Sequence, residues 1–198
     1  MRAAISLPPV GLGAMVPDAI DRRNIACAGT AVLAFIALVA GVVAVAFAAG
    51  ARDALQFGFA GVPRTAAEAS SILLNNSRLL VVPFAGALVL HASRASAQDA
   101  GAAGGLRVTR TVCDVLIGGL VALNAAVVGL ALGAYGDRMV VAMLPHGPVE
   151  LVAFSCSIAL YLRARRYDLR APVVARLVGL SLGLLAVAAF LETYLHLL

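Results

Sequence analysis

The sequence predicts an all-α protein of the membrane, a polytopic bundle of about five transmembrane helices with some of them kinked or re-entrant. Three observations lead there. Hydrophobic residues make up 62% of the 198-residue chain and charged residues only 13%, with a mean hydropathy of +0.99, whereas a soluble domain is nearer half apolar and a quarter charged. The apolar residues come in long runs, most of them reaching the roughly 20 residues that carry a helix across hydrocarbon. The charges gather between the runs; every basic residue is Arg and the net charge is +5. No basic patch alternates with aromatics, so the excess reads as membrane topology and not as a nucleic-acid surface. The implied surroundings are a lipid bilayer.

Residues 1–24 form a polar-ended cytoplasmic lead-in with Pro8, Pro9 and Pro17, followed by Asp18, Asp21, Arg22 and Arg23. The early prolines break any signal-peptide core. Residues 25–198 form a single transmembrane domain. Its first span, 25–50, is uncharged and rich in Ala, Val and Leu. Residues 51–70 mix charges with Leu55, Phe57 and Phe59, and fit either a short interfacial helix and turn or an ordinary loop. The second run, 71–92, carries Asn75, Asn76 and Arg78 near its start, and Pro83 predicts a kink or a break. Residues 93–106 read as a flexible Gly/Ala loop. The third run, 108–135, has Asp114 one turn past Arg110, which predicts an i, i+4 pair. Asn124 lies deep in that run and is expected to bond a neighbouring helix, and Gly129 and Gly133 form a GxxxG pair. After a connection at 136–144, the fourth run, 148–162, is short for a span and can recruit Val140 to Leu144 as a re-entrant entry. Arg163, Arg165, Arg166 and Arg170 separate it from the fifth run, 173–198, which ends in Glu192 and His196.

The positive-inside rule puts the Arg163–Arg170 cluster in the cytoplasm. Five spans then place the N-terminus and the Arg94/Arg107/Arg110 loop inside and the C-terminus outside. On that topology Asn75, Asn76 and Arg78, then His146 and Glu150, then Glu192 all fall at the outer side. A charge at a helix centre costs about 2.5–3.5 kcal/mol on insertion scales, so a shared buried polar cluster is expected, with Arg78 paired to Glu150 or Glu192. Pro148 suits the first helical position with Gly147 as its N-cap, and Glu150 in the first turn faces the positive end of the helix dipole. The four tyrosines Tyr135, Tyr161, Tyr167 and Tyr194 fall near span ends, as an aromatic belt would. The cysteines Cys27, Cys113 and Cys156 are far apart and read as small apolar filler.

Pro145-His146-Gly147-x-x-Glu150 at the mouth of a span resembles the signature of the stage II sporulation protein M family of bacterial membrane proteins. Leu74-Asn75-Asn76-x-Arg78 followed by Pro83-Phe84-x-Gly86 is similar to that family's second hydrophobic segment, and Phe190-Leu191-Glu192 to the acidic position of its last span. The resemblance covers roughly residues 25–198. It implies a multi-spanning helical protein of the bacterial cytoplasmic membrane that works beside other proteins. Those settings include a septal cell-wall hydrolysis complex, transport ATPases, and gene clusters for ribosomally made peptides.

Two function classes follow. One is a non-enzymatic component, a scaffold, transport accessory or peptide-immunity/export subunit, with a partner membrane protein or ATPase. The other is an intramembrane enzyme in which His146 and Glu150 act as acid and base on a peptide or lipid-linked substrate. A proton- or ion-coupled transporter would use the same buried groups. A metal site would need His146 and Glu150 to converge with Glu192 or His196, and no HExxH helix is present. No P-loop, dinucleotide or nucleophile-elbow motif occurs, so no cofactor is expected, and Ser155 and Cys156 lack an evident base. The sequence sets no oligomeric state.

Overall fold

The computed structural model describes residues 19–59, 63–100 and 103–195. Seven helices account for most of them, and no strand occurs among the described residues. They are α1 (Ala19–Ala46), α2 (Ala48–Leu55), α3 (Ala66–Ala100), α4 (Ala103–Tyr135), α5 (Asp137–Met143), α6 (Gly147–Ala164) and α7 (Ala171–Tyr194). Five of these, α1, α3, α4, α6 and α7, are long and apolar enough to cross a membrane. The chain is an integral, multi-pass membrane protein.

Local chemistry explains the element ends. Thr65 caps α3: its Oγ1 accepts the Glu68 amide at 3.1 Å, which satisfies one of the free donors of the first turn. Gly136 adopts φ +55° in the turn from α4 into α5, a conformation that costs glycine little. Pro148 sits in the first turn of α6 and Pro172 in that of α7, where a missing N–H breaks no helical bond. Two helix C-termini are closed by arginines from elsewhere. The Arg52 Nε donates to the Ala134 carbonyl of α4, and Arg94 Nη2 donates at 2.8 Å to the Ala164 carbonyl of α6. Each puts a cation at the negative end of a helix dipole.

Packing centres on α6, which touches α1, α3 and α7. Helix α4 fills the space between α1 and α3, and α7 lies in the groove between α3 and α6. The main core joins Ala87 and Leu90 of α3, Cys113 and Ile117 of α4, Cys156, Leu160 and Tyr161 of α6, and Val173 and Leu177 of α7. Small residues allow the close approaches. A methyl group added at Gly133 would lie 2.6 Å from the Ala40 carbonyl oxygen of α1, and one at Gly129 would lie 2.7 Å from Val39 Cβ. The GxxxG pair is therefore the seam between α4 and α1. The large apolar side chains of α1, among them Leu33, Leu38, Val42 and Val45, point outward, as a lipid-facing surface requires.

Several boundaries differ from the sequence expectation, each for a physical reason. Helix α1 starts at Ala19 and takes in Asp21 to Asn24, which the sequence assigns to the lead-in; Asp21 is held by partners on other helices, so its charge does not end the helix. Helix α3 runs unbroken through Pro83, because the proline forfeits one hydrogen bond in a helix fastened on both sides by packing. The expected loop at 93–106 is mostly helix, with α3 continuing to Ala100 and α4 starting at Ala103; small Ala-rich sequence forms helix as readily as loop. The connection at 136–144 contains the short helix α5, and α2 (Ala48–Leu55), closed by Gln56 in the left-handed region, covers the start of the 51–70 stretch. The N-cap of α6 is His146 and Gly147 is its first residue, one position earlier than expected. His196 lies outside the described residues.

Candidate functional site

Two polar assemblies stand at opposite ends of the bundle. The larger lies at the Arg-rich end, where α1, α4, α6 and α7 meet. The Asp21 side chain is fully buried, with 0% exposure. Its Oδ1 accepts from Arg163 Nη1 at 2.7 Å and its Oδ2 from Arg176 Nη2 at 2.9 Å. One carboxylate thus ties α1 to both α6 and α7. Both guanidiniums are 14% exposed, so the pairing replaces most of the water that each ion has lost.

A second carboxylate makes a parallel tie. Asp114 of α4 accepts from Arg165 Nη2 at 2.9 Å and from the Tyr161 hydroxyl at 2.5 Å, both on the last turns of α6. The expected Asp114–Arg110 pair along α4 does not form; Arg110 is exposed and Asp114 turns to α6 instead. A charge-assisted bond across helices also satisfies a tyrosine hydroxyl that is 3% exposed, which an i, i+4 pair at the surface would leave unmet. Tyr161 is accordingly a core residue and not part of an interfacial belt. Arg94 completes this end with a longer contact to Asp168 at 3.5 Å.

The opposite end carries the residues singled out from sequence. Asn76 Nδ2 of α3 donates to Glu150 Oε1 of α6 at 2.5 Å, so two of the expected cluster members meet across helices. Glu192, near the end of α7, and Glu68, in the first turn of α3, are both half-buried at this end. Glu68 was not among the expected residues. Its place in the first turn of α3, where the helix dipole favours an acid, is the signal that puts it at this end.

The rest of the expected cluster is arranged differently. Asn75 and Arg78 lie on the exposed face of α3, and none of the ion pairs among the described residues includes Arg78. The reason is helical geometry: Asn76 faces α6, so Asn75 and Arg78, at 100° per residue, are carried around to the outer side. Arg78 therefore does not pair with Glu150 or Glu192. His146 is half-buried at the N-cap of α6 and makes no side-chain cap bond. Its backbone carbonyl accepts the Glu150 amide at 3.0 Å, but no side-chain hydrogen bond joins the two among the described residues. Burial holds the His146 imidazole below its ordinary pKa of 6.5, and its Nδ1 is buried without a partner.

Other polar groups are satisfied within their own helices. Asn124 donates to the Leu120 carbonyl at 2.8 Å, so it does not bond a neighbouring helix as expected. Ser155 and Ser157 donate to the Leu151 and Phe154 carbonyls, both at 2.7 Å. The three cysteines are free thiols, Cys27 exposed and Cys113 and Cys156 buried. No group of three His, Cys, Asp or Glu side chains with the geometry of a metal site occurs among the described residues.

Sequence reasoning missed the Asp21–Arg163–Arg176 assembly. The available signal was Arg176, a single cation about one turn into an apolar run, which demands an anion nearby. Comparison with protein family models, with curated proteins and with solved structures gives no match.

Proposed function

We propose that this protein is a non-enzymatic membrane component, a scaffold or accessory subunit for a partner membrane protein or ATPase, of the kind the resemblance to the stage II sporulation protein M family implies. The observation that carries this reading is the Asp21 assembly. Its acid is enclosed and bonded to cations from two other helices, so it fastens the bundle and is itself closed to a substrate. The Asp114–Tyr161–Arg165 tie supports the same reading. A bundle fastened in this way offers a stiff surface to a partner, in peptide export or immunity or at a cell-wall machine. The reading places the protein in the bacterial cytoplasmic membrane with its Arg-rich end and N-terminus inside and its C-terminus outside.

The test is complementation in a native host together with affinity purification from its membranes. Glu150→Gln and His146→Ala are expected to retain function and to keep the same co-purifying membrane protein or ATPase. Loss of function in either variant, with the protein still folded and inserted, overturns the scaffold reading. One observation favours the alternative of intramembrane acid–base catalysis: His146 Nδ1 is buried without a partner one turn from Glu150. That alternative requires activity on a peptide or lipid-linked substrate that both substitutions abolish.

A further inference from the structure

Helix α3 has two chemically different faces. Leu80, Pro83, Ala87 and Leu90 are buried against the bundle, while Leu74, Asn75, Arg78 and Val81 form an exposed stripe on the other side. The depth of that stripe follows from Asn76. It bonds Glu150, which lies in the first turn of α6, and α6 with its 18 residues is about as long as the hydrocarbon core is thick. Arg78 is two residues further along α3, so it sits about 3 Å deeper than Asn76. An amide and a guanidinium, one turn apart, thus face outward from a membrane helix below the level at which the apolar spans begin. Neither takes part in the hydrogen bonds that join α3 to the bundle. At that depth an exposed cation costs less than at the bilayer centre, and an anionic partner or the lipid headgroups above it relieve the cost.

We propose that the Asn75/Arg78 stripe of α3 is a docking face for a transmembrane helix of a different protein, one that presents an Asp or Glu carboxylate in the same part of the bilayer. Charge complementarity chooses the occupant. A guanidinium and an amide supply several donors and together suit one carboxylate with a further acceptor beside it. A second copy of this chain suits the stripe poorly, because a two-fold axis through α3 sets Arg78 against its own symmetry mate. Small and β-branched neighbours on the stripe, Ala85 and Val81, leave room for close helix contact. The inference rests on the reading of the protein as a partner-binding component and adds where the partner sits and what it carries.

The experiment uses the full chain, labelled at its exposed Cys27 and reconstituted in phosphatidylcholine vesicles. The probe is a designed single-span Leu/Ala helix with one Glu at the depth of Arg78, compared with the same helix carrying Leu there. Energy transfer is expected to report association about tenfold tighter for the Glu helix. Arg78→Leu should remove that preference while leaving the helical circular dichroism of the chain unchanged. Arg78→Glu should transfer the preference to a probe helix carrying Arg. Equal association of the Glu and Leu probes, or a preference that survives Arg78→Leu, overturns the proposal and leaves lipid phosphate as the partner of Arg78. Disulfide trapping of a homodimer through Leu74→Cys overturns it as well. Because the probe is synthetic, its failure removes this face alone; failure of the broader reading shows instead as loss of function in the His146 and Glu150 variants.

Discussion

Asp21 is the side chain on which the bundle depends most. Removing it takes a buried carboxylate away from both Arg163 and Arg176; breaking a buried pair in this way costs about 3–5 kcal/mol. Asp21→Ala is expected to lower unfolding free energy in detergent by that amount, measured by steric trapping or denaturant titration. Glu150→Gln should cost far less, because the amide still offers an oxygen to Asn76. His146 gives a pH signature. Its imidazole is held below 6.5 by burial, so above that pH both folded and unfolded chains carry it neutral and stability is at its full value. As pH falls below about 6.5 the unfolded chain takes up the proton first, and stability declines until the folded pKa is passed. His146→Gln is expected to remove this slope between pH 6.5 and the lower midpoint, read from melting temperature against pH. At this scale the sequence pointed to one contact of the cluster: Asn76 and Glu150 meet. The faces of α3 were not, because a sequence fixes which residues share a helical stripe but does not say which stripe turns inward. Asp21 was hidden by its neighbours Arg22 and Arg23, which make the segment look like a solvated tail.

At the level of elements, the contacts of α4 with α1 decide how closely the bundle can pack. Gly129→Val and Gly133→Val drive side-chain carbons into Val39, Val43 and the backbone of α1. Overpacking of this kind costs typically about 1–3 kcal/mol, and each variant is expected to unfold earlier by that margin in the same detergent assay. Gly118→Ala and Gly119→Ala, at positions with open space around them, serve as controls and should be neutral. The five long helices were visible as apolar runs because hydrocarbon imposes length and composition on any span. Their true ends were not, since charged and small residues can extend a helix wherever another helix or the interface receives them. Asp21 in α1 and the Ala-rich end of α3 are both cases of that.

For the molecule as a whole, orientation is the property most open to direct measurement. Cysteines introduced at Asp168 in the α6–α7 turn and at Asp137 in the first turn of α5, both exposed, are expected to label from opposite sides of intact cells. Asp168→Cys should be protected from an impermeant maleimide and Asp137→Cys should react. The reverse result would invert the assignment of inside and outside. The expectation rests on Arg content, which differs between alternate loops. The fastening of the helices cannot, since it depends on which ends come together in space.

The ionic ties are distributed unevenly. All of the ion pairs among the described residues sit at the Arg-rich end, and the far end holds α3 to α6 through the Asn76–Glu150 bond. With the ionic ties at one end only, the other end is expected to open first. Thermal breathing should begin at the glutamate end and die away toward the arginine end, so amide deuteration in nanodiscs would advance from one membrane face only.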